Sequence, residues 1–176
     1  SLTKTLILSG IQCEKKLWFD LNDKIKLKDK AIFRSGNRFN DVVRKHYGEG
    51  LDLSDEKKHQ IVIERTKEAI QSDNINVIYK AGFLFKNTFI RADVLIKKDN
   101  QWTMLEAKAS TSVKDINISD LAIQSFIVKN SGLDVICNKI SHINKEFIYK
   151  GEENYKDLIV EVDITKEVLA EENKVE

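Results

Sequence analysis

The chain has 176 residues, 29 Lys and Arg against 28 Asp and Glu, a formal net charge of +1, and 41% hydrophobic with 32% charged residues. This describes one soluble globular domain over 1–176, long enough for a real core. No apolar run approaches the roughly 18 residues of a membrane span, and the start carries only the short patch Leu6–Leu8, so neither a membrane partner nor a signal peptide is expected and the location should be cytoplasmic.

The charge is unevenly spread. Residues 1–50 hold 11 Lys and Arg and 6 Asp and Glu, whereas residues 145–176 hold 5 and 10. A basic N-terminal third can attract a phosphate backbone or serve as a solvated helical surface. Proline is absent. The two cysteines, Cys13 and Cys137, cannot by themselves build a structural metal site, and Cys137 within the apolar run Leu133–Ile140 is expected to be a buried thiol.

In chain order, residues 3–21 read as helix broken near Gly10, with Leu17, Trp18 and Leu21 as an apolar stripe. A basic connector follows over Lys24–Lys30. A helix is expected from Ala31 to Tyr47, stopped by Gly48 and Gly50, and another from Asp55 to Ser72 capped by Ser54. Strands are expected over Asn76–Phe85 and in the hairpin that comes next. The polar loop Ser110–Asn117 leads to a helix capped by Ser119 and reaching about Lys129. Strands at Leu133–Ile143, Glu146–Lys150 and Leu158–Val162, then an acidic helix from Thr165, complete an α/β domain with a sheet flanked by helices.

The chemistry concentrates between Thr88 and Ala109. Two β-prone runs flank Asp99-Asn100, a pair suited to a two-residue turn with positive φ. That turn sets Leu95 opposite Met104, Asp93 opposite Glu106 and Arg91 opposite Lys108. Ile90, Ala92, Val94 and Ile96 then share the other face with Thr103, Leu105, Ala107 and Ala109, fit to be buried. Like charges directly opposed across a sheet are destabilising. A hard divalent cation bound by the carboxylates would relieve the Asp93–Glu106 clash. The two-residue period also projects Glu106 and Lys108 from one face. The competing reading is a hairpin face of ordinary solvated charges.

The order Asp93, then Glu106-Ala107-Lys108, inside an α-βββ-α-β arrangement resembles the PD-(D/E)XK nuclease superfamily with its restriction-endonuclease-like mixed sheet. The chain is similar to the RecB-like branch, which includes CRISPR-associated exonucleases, and to a related uncharacterised bacterial family. The likeness rests also on Leu8-Ser9, Gln12-Cys13, Leu17-Trp18, Gly36–Phe39, Ser110–Asp115 and Gln124, and spans roughly residues 5–165. It implies Mg²⁺ or Mn²⁺ held by Asp93, Glu106 and the backbone carbonyl of Ala107, with Lys108 and Gln124 completing the catalytic set. Arg91, Ser110, Thr111 and Lys114 become phosphate contacts, and DNA, as single strands or ends, the partner. Asn40 stands where many relatives carry a metal-binding histidine; His46 lies further along the helix, and Lys80 replaces a frequent acidic residue. Cys13 matches the first of four iron–sulfur ligands, whose other three would lie beyond Glu176 in a longer parent, so no cluster is expected in this chain alone.

Trp18, Phe33 and Phe39 could supply base stacking, but their helical spacing favours core packing. Two other readings compete with hydrolysis. One is a DNA-binding module without catalysis; the other is a partner-docking domain using the acidic C-terminal helix.

Overall fold

The hairpin forms around the anticipated turn. Asp99 and Asn100 have φ of 50° and 62°, and the turn joins β3 (Thr88–Lys98) to β4 (Gln101–Lys108). The register runs from Lys98↔Gln101 through Leu95↔Met104 to Val94↔Leu105. A second two-residue turn, Lys86-Asn87 with φ of 44° and 64°, joins β3 back to β2 (Val77–Phe85). In this computed structural model, which describes residues 3–22, 30–152 and 154–172 with the side chains of 30–33 left aside, a mixed six-stranded sheet is flanked by helices. The two-residue β1 (Leu51–Asp52) runs parallel to β2, β5 (Val135–Ile143) parallel to β4, and β6 (Ile159–Asp163) antiparallel to β5. Strand order in space equals order in sequence. No helix among the described residues is long and apolar enough to cross a membrane.

Six helices are described: α1 (Lys4–Gln12), α2 (Glu14–Asn22), α3 (Lys30–Tyr47), α4 (His59–Gln71), α5 (Asp115–Asn130) and α6 (Thr165–Glu172). The anticipated α-βββ-α-β core is present as α4-β2β3β4-α5-β5. The parallel pairing of β4 and β5 requires a crossover, and α5 is that crossover. The larger core packs α4, α5 and α6 against one side of the sheet, with α1 against its margin. Val62, Leu95, Met104, Leu121, Ile123, Ile140 and Val168 form its centre. Each such burial contributes about 1.5–3 kcal/mol before entropy is set against it. On the other side α3 lays Phe39 and Val43, four residues apart, over Val77, Tyr79, Val94 and Leu105. Gly48, with φ of 84°, ends α3, and the Tyr79 hydroxyl donates to its carbonyl at 2.7 Å.

Several expectations are corrected. The first helical stretch breaks at Cys13, which is extended, rather than at Gly10. Gly10 stays helical, and a Cβ there would lie 3.3 Å from Leu17 of α2, so its role is close packing. Ser54 does not cap α4: its N–H and hydroxyl both turn to Asp52 Oδ1, and the helix waits until His59. Helix α5 starts four residues before Ser119, because Asn117 Oδ1 accepts the Lys114 N–H at 3.0 Å and closes the first turn there. Glu146–Lys150 is irregular rather than a strand. Trp18 is 58% exposed and meets Phe19 edge-on, whereas Phe39 is core as anticipated. The Phe33 side chain and most of the Lys24–Lys30 connector lie outside the described residues. Cys137 is half-buried beside Asp163 rather than fully buried, and Cys13 is an exposed free thiol.

The largest departure is in the strand faces. Ile78 and Leu95 face the larger core while Val77, Tyr79 and Val94 face α3, as alternation requires. Beyond them Ala81, Phe83, Ile90 and Ala92 also face the larger core, so both strands change phase at the same level. The register Tyr79↔Val94 resumes as Ala81↔Ala92, and the intervening pair, Lys80 and Asp93, drops out of the ladder. Lys80 has a left-handed φ of 57° in mid-strand, which turns β2 over. The apolar face expected to contain Ile90, Ala92, Val94 and Ile96 together is therefore split between the two sides.

Candidate active site

At this phase change the hairpin stops being a sheet and becomes a site. The β3–β4 ladder ends at Val94↔Leu105. Asp93 does not pair with Glu106 through the backbone; its Oδ2 instead accepts the Ala107 N–H at 2.9 Å. A side chain thus satisfies a main-chain donor that regular pairing would have used. Asp93 Oδ1 is bound by the Lys80 ammonium. The expected Arg91–Lys108 opposition is absent for the same reason, since the β3–β4 ladder has already ended and Lys108 pairs only with His142 of β5 among the described residues.

Period-two geometry sends Trp102, Met104, Glu106 and Lys108 to the α5 side. On α5, Asp120 and Gln124 are four residues apart and share one stripe. Gln124 Nε2 donates to Glu106 Oε2 at 2.9 Å and to Asp120 Oδ1 at 3.0 Å. Lys108 Nζ lies 2.7 Å from both Glu106 Oε1 and Asp120 Oδ2. From α1, Lys4 Nζ reaches Asp120 Oδ1 at 2.8 Å and approaches Glu106 Oε1 at 3.8 Å. Glu106, Asp120 and Gln124 are all buried, and Gln124 Oε1 has no hydrogen-bond partner among the described residues.

Three carboxylates therefore meet three lysines, and their environments push them apart. Burial, then the neighbouring charge of Asp93, raises the pKa of Glu106; Lys4 and Lys108 offset only part of this. Burial also opposes the charge of Asp120, but Lys4 and Lys108 outweigh it and hold that carboxyl low. Lys108 is likewise opposed by burial, yet Glu106 and Asp120 raise its pKa and keep it an ammonium.

Beside Asp93 and Lys80 opens a cleft of about 720 Å³, with Lys4, Asn40, Arg44, Phe89 and Arg91 in its walls. Asn40 is thus at the site, whereas His46 is exposed and edge-on to Tyr47, away from it. Arg91 donates to the carbonyls of Leu53 and Glu56 and so braces the wall. Ser110, Thr111 and Lys114 lie in the loop after Lys108; Ser110 Oγ donates to Ser112 O, and Thr111 and Lys114 are exposed. His59 stacks on Phe89 with ring centroids 3.9 Å apart. Sequence reasoning missed Lys4 and Asp120. Asp120 had a signal, a second polar residue one turn before Gln124 on an apolar helix; Lys4 had none.

The donor chemistry fits a hard divalent cation. Asp93, Glu106 and the Ala107 carbonyl are oxygen donors, and Gln124 Oε1 is a buried acceptor without a partner among the described residues. The donors are not gathered in advance, because among the described residues no three His, Cys, Asp or Glu side chains stand close enough to hold a metal. Lysine ammoniums lie on the carboxylates a cation would use.

Fold and site together define a mixed α/β protein with a charged, oxygen-rich cleft where its central hairpin frays. No family model matches the chain, and no curated protein matches it. Among solved structures it is similar to the crystal structure of SSO0001, at 13% identity and a TM-score of 0.33, over 97% of this chain and 84% of that one. At that level the likeness carries nothing about function.

Proposed function

We propose that this chain is a metal-dependent phosphodiesterase of the PD-(D/E)XK, RecB-like type, hydrolysing DNA at ends or in single strands in the cytoplasm. The observation that carries the reading is the convergence of Asp93, Glu106, Lys108 and Gln124 from two strands and a crossover helix, with Asp93 lining an open cleft and Lys4 joining that cleft to Glu106 and Asp120. Asp93, Glu106 and the Ala107 carbonyl would hold Mg²⁺ or Mn²⁺. When bound, such an ion supplies Lewis acidity, neutralising charge on the scissile phosphate and acidifying water.

The protein's own groups do the rest. Gln124 fixes the Glu106 carboxylate by a hydrogen bond, and Lys108, kept charged by two carboxylates, offers its ammonium to the charge that grows on phosphate. Asp120 is a positioning residue, holding Lys108 and Lys4 in place. Lys4, Arg44 and Lys80 in the cleft favour a polyanion, and the free thiols suit a reducing compartment.

The test is cleavage of single-stranded and duplex DNA with Mg²⁺, Mn²⁺ or chelator. Metal-dependent cleavage that falls by about 100-fold or more in Lys108→Ala, with metal affinity no weaker than wild type, is expected. Equal loss of turnover and metal affinity would remove Lys108 from the role given to it. The pairing of Lys80 with Asp93 favours a second reading, DNA binding without turnover. Salt-sensitive binding with no cleavage under any metal would establish that reading instead.

A further inference from the structure

Lys80 is a costly residue for its position. A non-glycine side chain at φ of 57° within a strand carries strain of order 1–3 kcal/mol. Its conformation turns the strand over and brings its own ammonium onto Asp93 Oδ1, while Asp93 Oδ2 stays with the Ala107 N–H. Lys80 is also in the cleft wall, with its side chain 25% exposed. It thus has two sets of anions within reach, the carboxylate behind it and whatever polyanion enters in front.

Resting on the metal-dependent reading above, we propose that Lys80 is an exchangeable internal counter-ion that couples metal binding to substrate binding. Without substrate its ammonium neutralises Asp93 and opposes the entry of a divalent cation there. A phosphate in the cleft offers Lys80 a second anion; the ammonium moves to it, and the freed Asp93 oxygen becomes a metal ligand. Metal and phosphate backbone then bind cooperatively, each strengthening the other by the same factor, as linkage requires. Without substrate the hydrolytic site is held incomplete.

The experiment measures Mn²⁺ binding by electron paramagnetic resonance, with and without a single-stranded phosphorothioate oligonucleotide. It compares wild type with Lys80→Gly and Lys80→Asn, both of which tolerate the left-handed backbone, and with Lys80→Arg and Asp93→Asn. In wild type the oligonucleotide should tighten Mn²⁺ binding about 10-fold, a typical coupling. The two neutral variants should bind Mn²⁺ alone about 10-fold more tightly than wild type, with less than about 2-fold further gain from the oligonucleotide. Lys80→Arg should keep the coupling.

If the neutral variants match wild type while Asp93→Asn no longer binds Mn²⁺, the counter-ion role is overturned and the metal reading stands. If Asp93→Asn binds Mn²⁺ as wild type does, the metal reading itself fails. Should one neutral variant not fold, as judged by its circular dichroism melt, the other carries the comparison.

Discussion

The two halves of the β3–β4 hairpin are held by different forces. From the turn to Val94↔Leu105 the strands are in regular register, and Leu95 and Met104 are wholly enclosed by apolar neighbours. One residue further down, the ladder gives way to Asp93, Glu106 and Lys108, and side-chain ion pairs replace main-chain pairing. The turn half gains from burial in proportion to area and needs no particular partner. The mouth half gains only while every charge has its counter-charge, because a buried ion left alone costs several kcal/mol. A chain can thus fold on one half and keep its chemistry in the other.

The largest effect should come from unbalancing the mouth. Lys108→Met leaves Glu106 and Asp120 short of a cation and should destabilise by about 3–5 kcal/mol in urea unfolding. Adding Lys4→Met, Glu106→Met and Asp120→Leu, which removes the charges that would otherwise lose their partners, should recover much of that loss. If this quadruple variant is no more stable than the single one, the mouth is held by packing after all. Leu95→Ala, in the turn half, should cost about 2–5 kcal/mol through its cavity. No charge substitution nearby should restore it, and a double-mutant cycle with Lys108→Met should be additive to within about 0.5 kcal/mol.

Acidity should separate two carboxylates that share two lysines. The folded pKa of Asp120 is lowered, so its contribution is present above the unfolded Asp range and is lost as pH falls through the folded value. The folded pKa of Glu106 is raised, so its contribution is full below the unfolded Glu range and is lost as pH rises through the folded value. Relative to wild type, Glu106→Gln should gain stability as pH rises above about 4, and Asp120→Asn should lose it as pH rises up to about 4. Urea midpoints moving in the same direction would contradict these assignments. The smallest effect belongs to the tip. Asn100→Ala, at a φ of 62°, should cost about 1 kcal/mol in the same assay, and Asn100→Gly should cost nothing or stabilise slightly.

How much of this was legible follows the same division. The turn, the Leu95↔Met104 register and the shared face of Glu106 and Lys108 could be read from Asp99-Asn100 and strict alternation, because both are local. The mouth could not, because alternation presumes a regular strand and nothing around Lys80 announces a left-handed backbone; glycine or asparagine would have. Asp93 and Glu106 were rightly brought to one place but wrongly made a ladder pair, since a carboxylate replaced the main-chain acceptor for the Ala107 N–H. Asp120 was within reach of a reading that asked why a buried helix face carries two polar residues four apart. Lys4 was not, since it meets Asp120 across more than a hundred residues of chain. The early start expected for α4 failed for a nearer reason, the attachment of Ser54 to Asp52.

The identity of spatial and sequential strand order has a kinetic consequence. Strands β2, β3 and β4 are joined by two-residue turns, so they can zip together within microseconds. The groups that answer Glu106 come from opposite directions in the chain, Lys4 from before the meander and Gln124 from the crossover after it. Their loops must close before the parallel β4–β5 pairing rewards them. The meander should therefore gain hydrogen-exchange protection first in pulse-labelling, with Gln124 and its α5 neighbours later; simultaneous protection would show that the polar network belongs to the folding nucleus. The refolding chain would then pass through a stage in which the hairpin is closed while Glu106 still faces water.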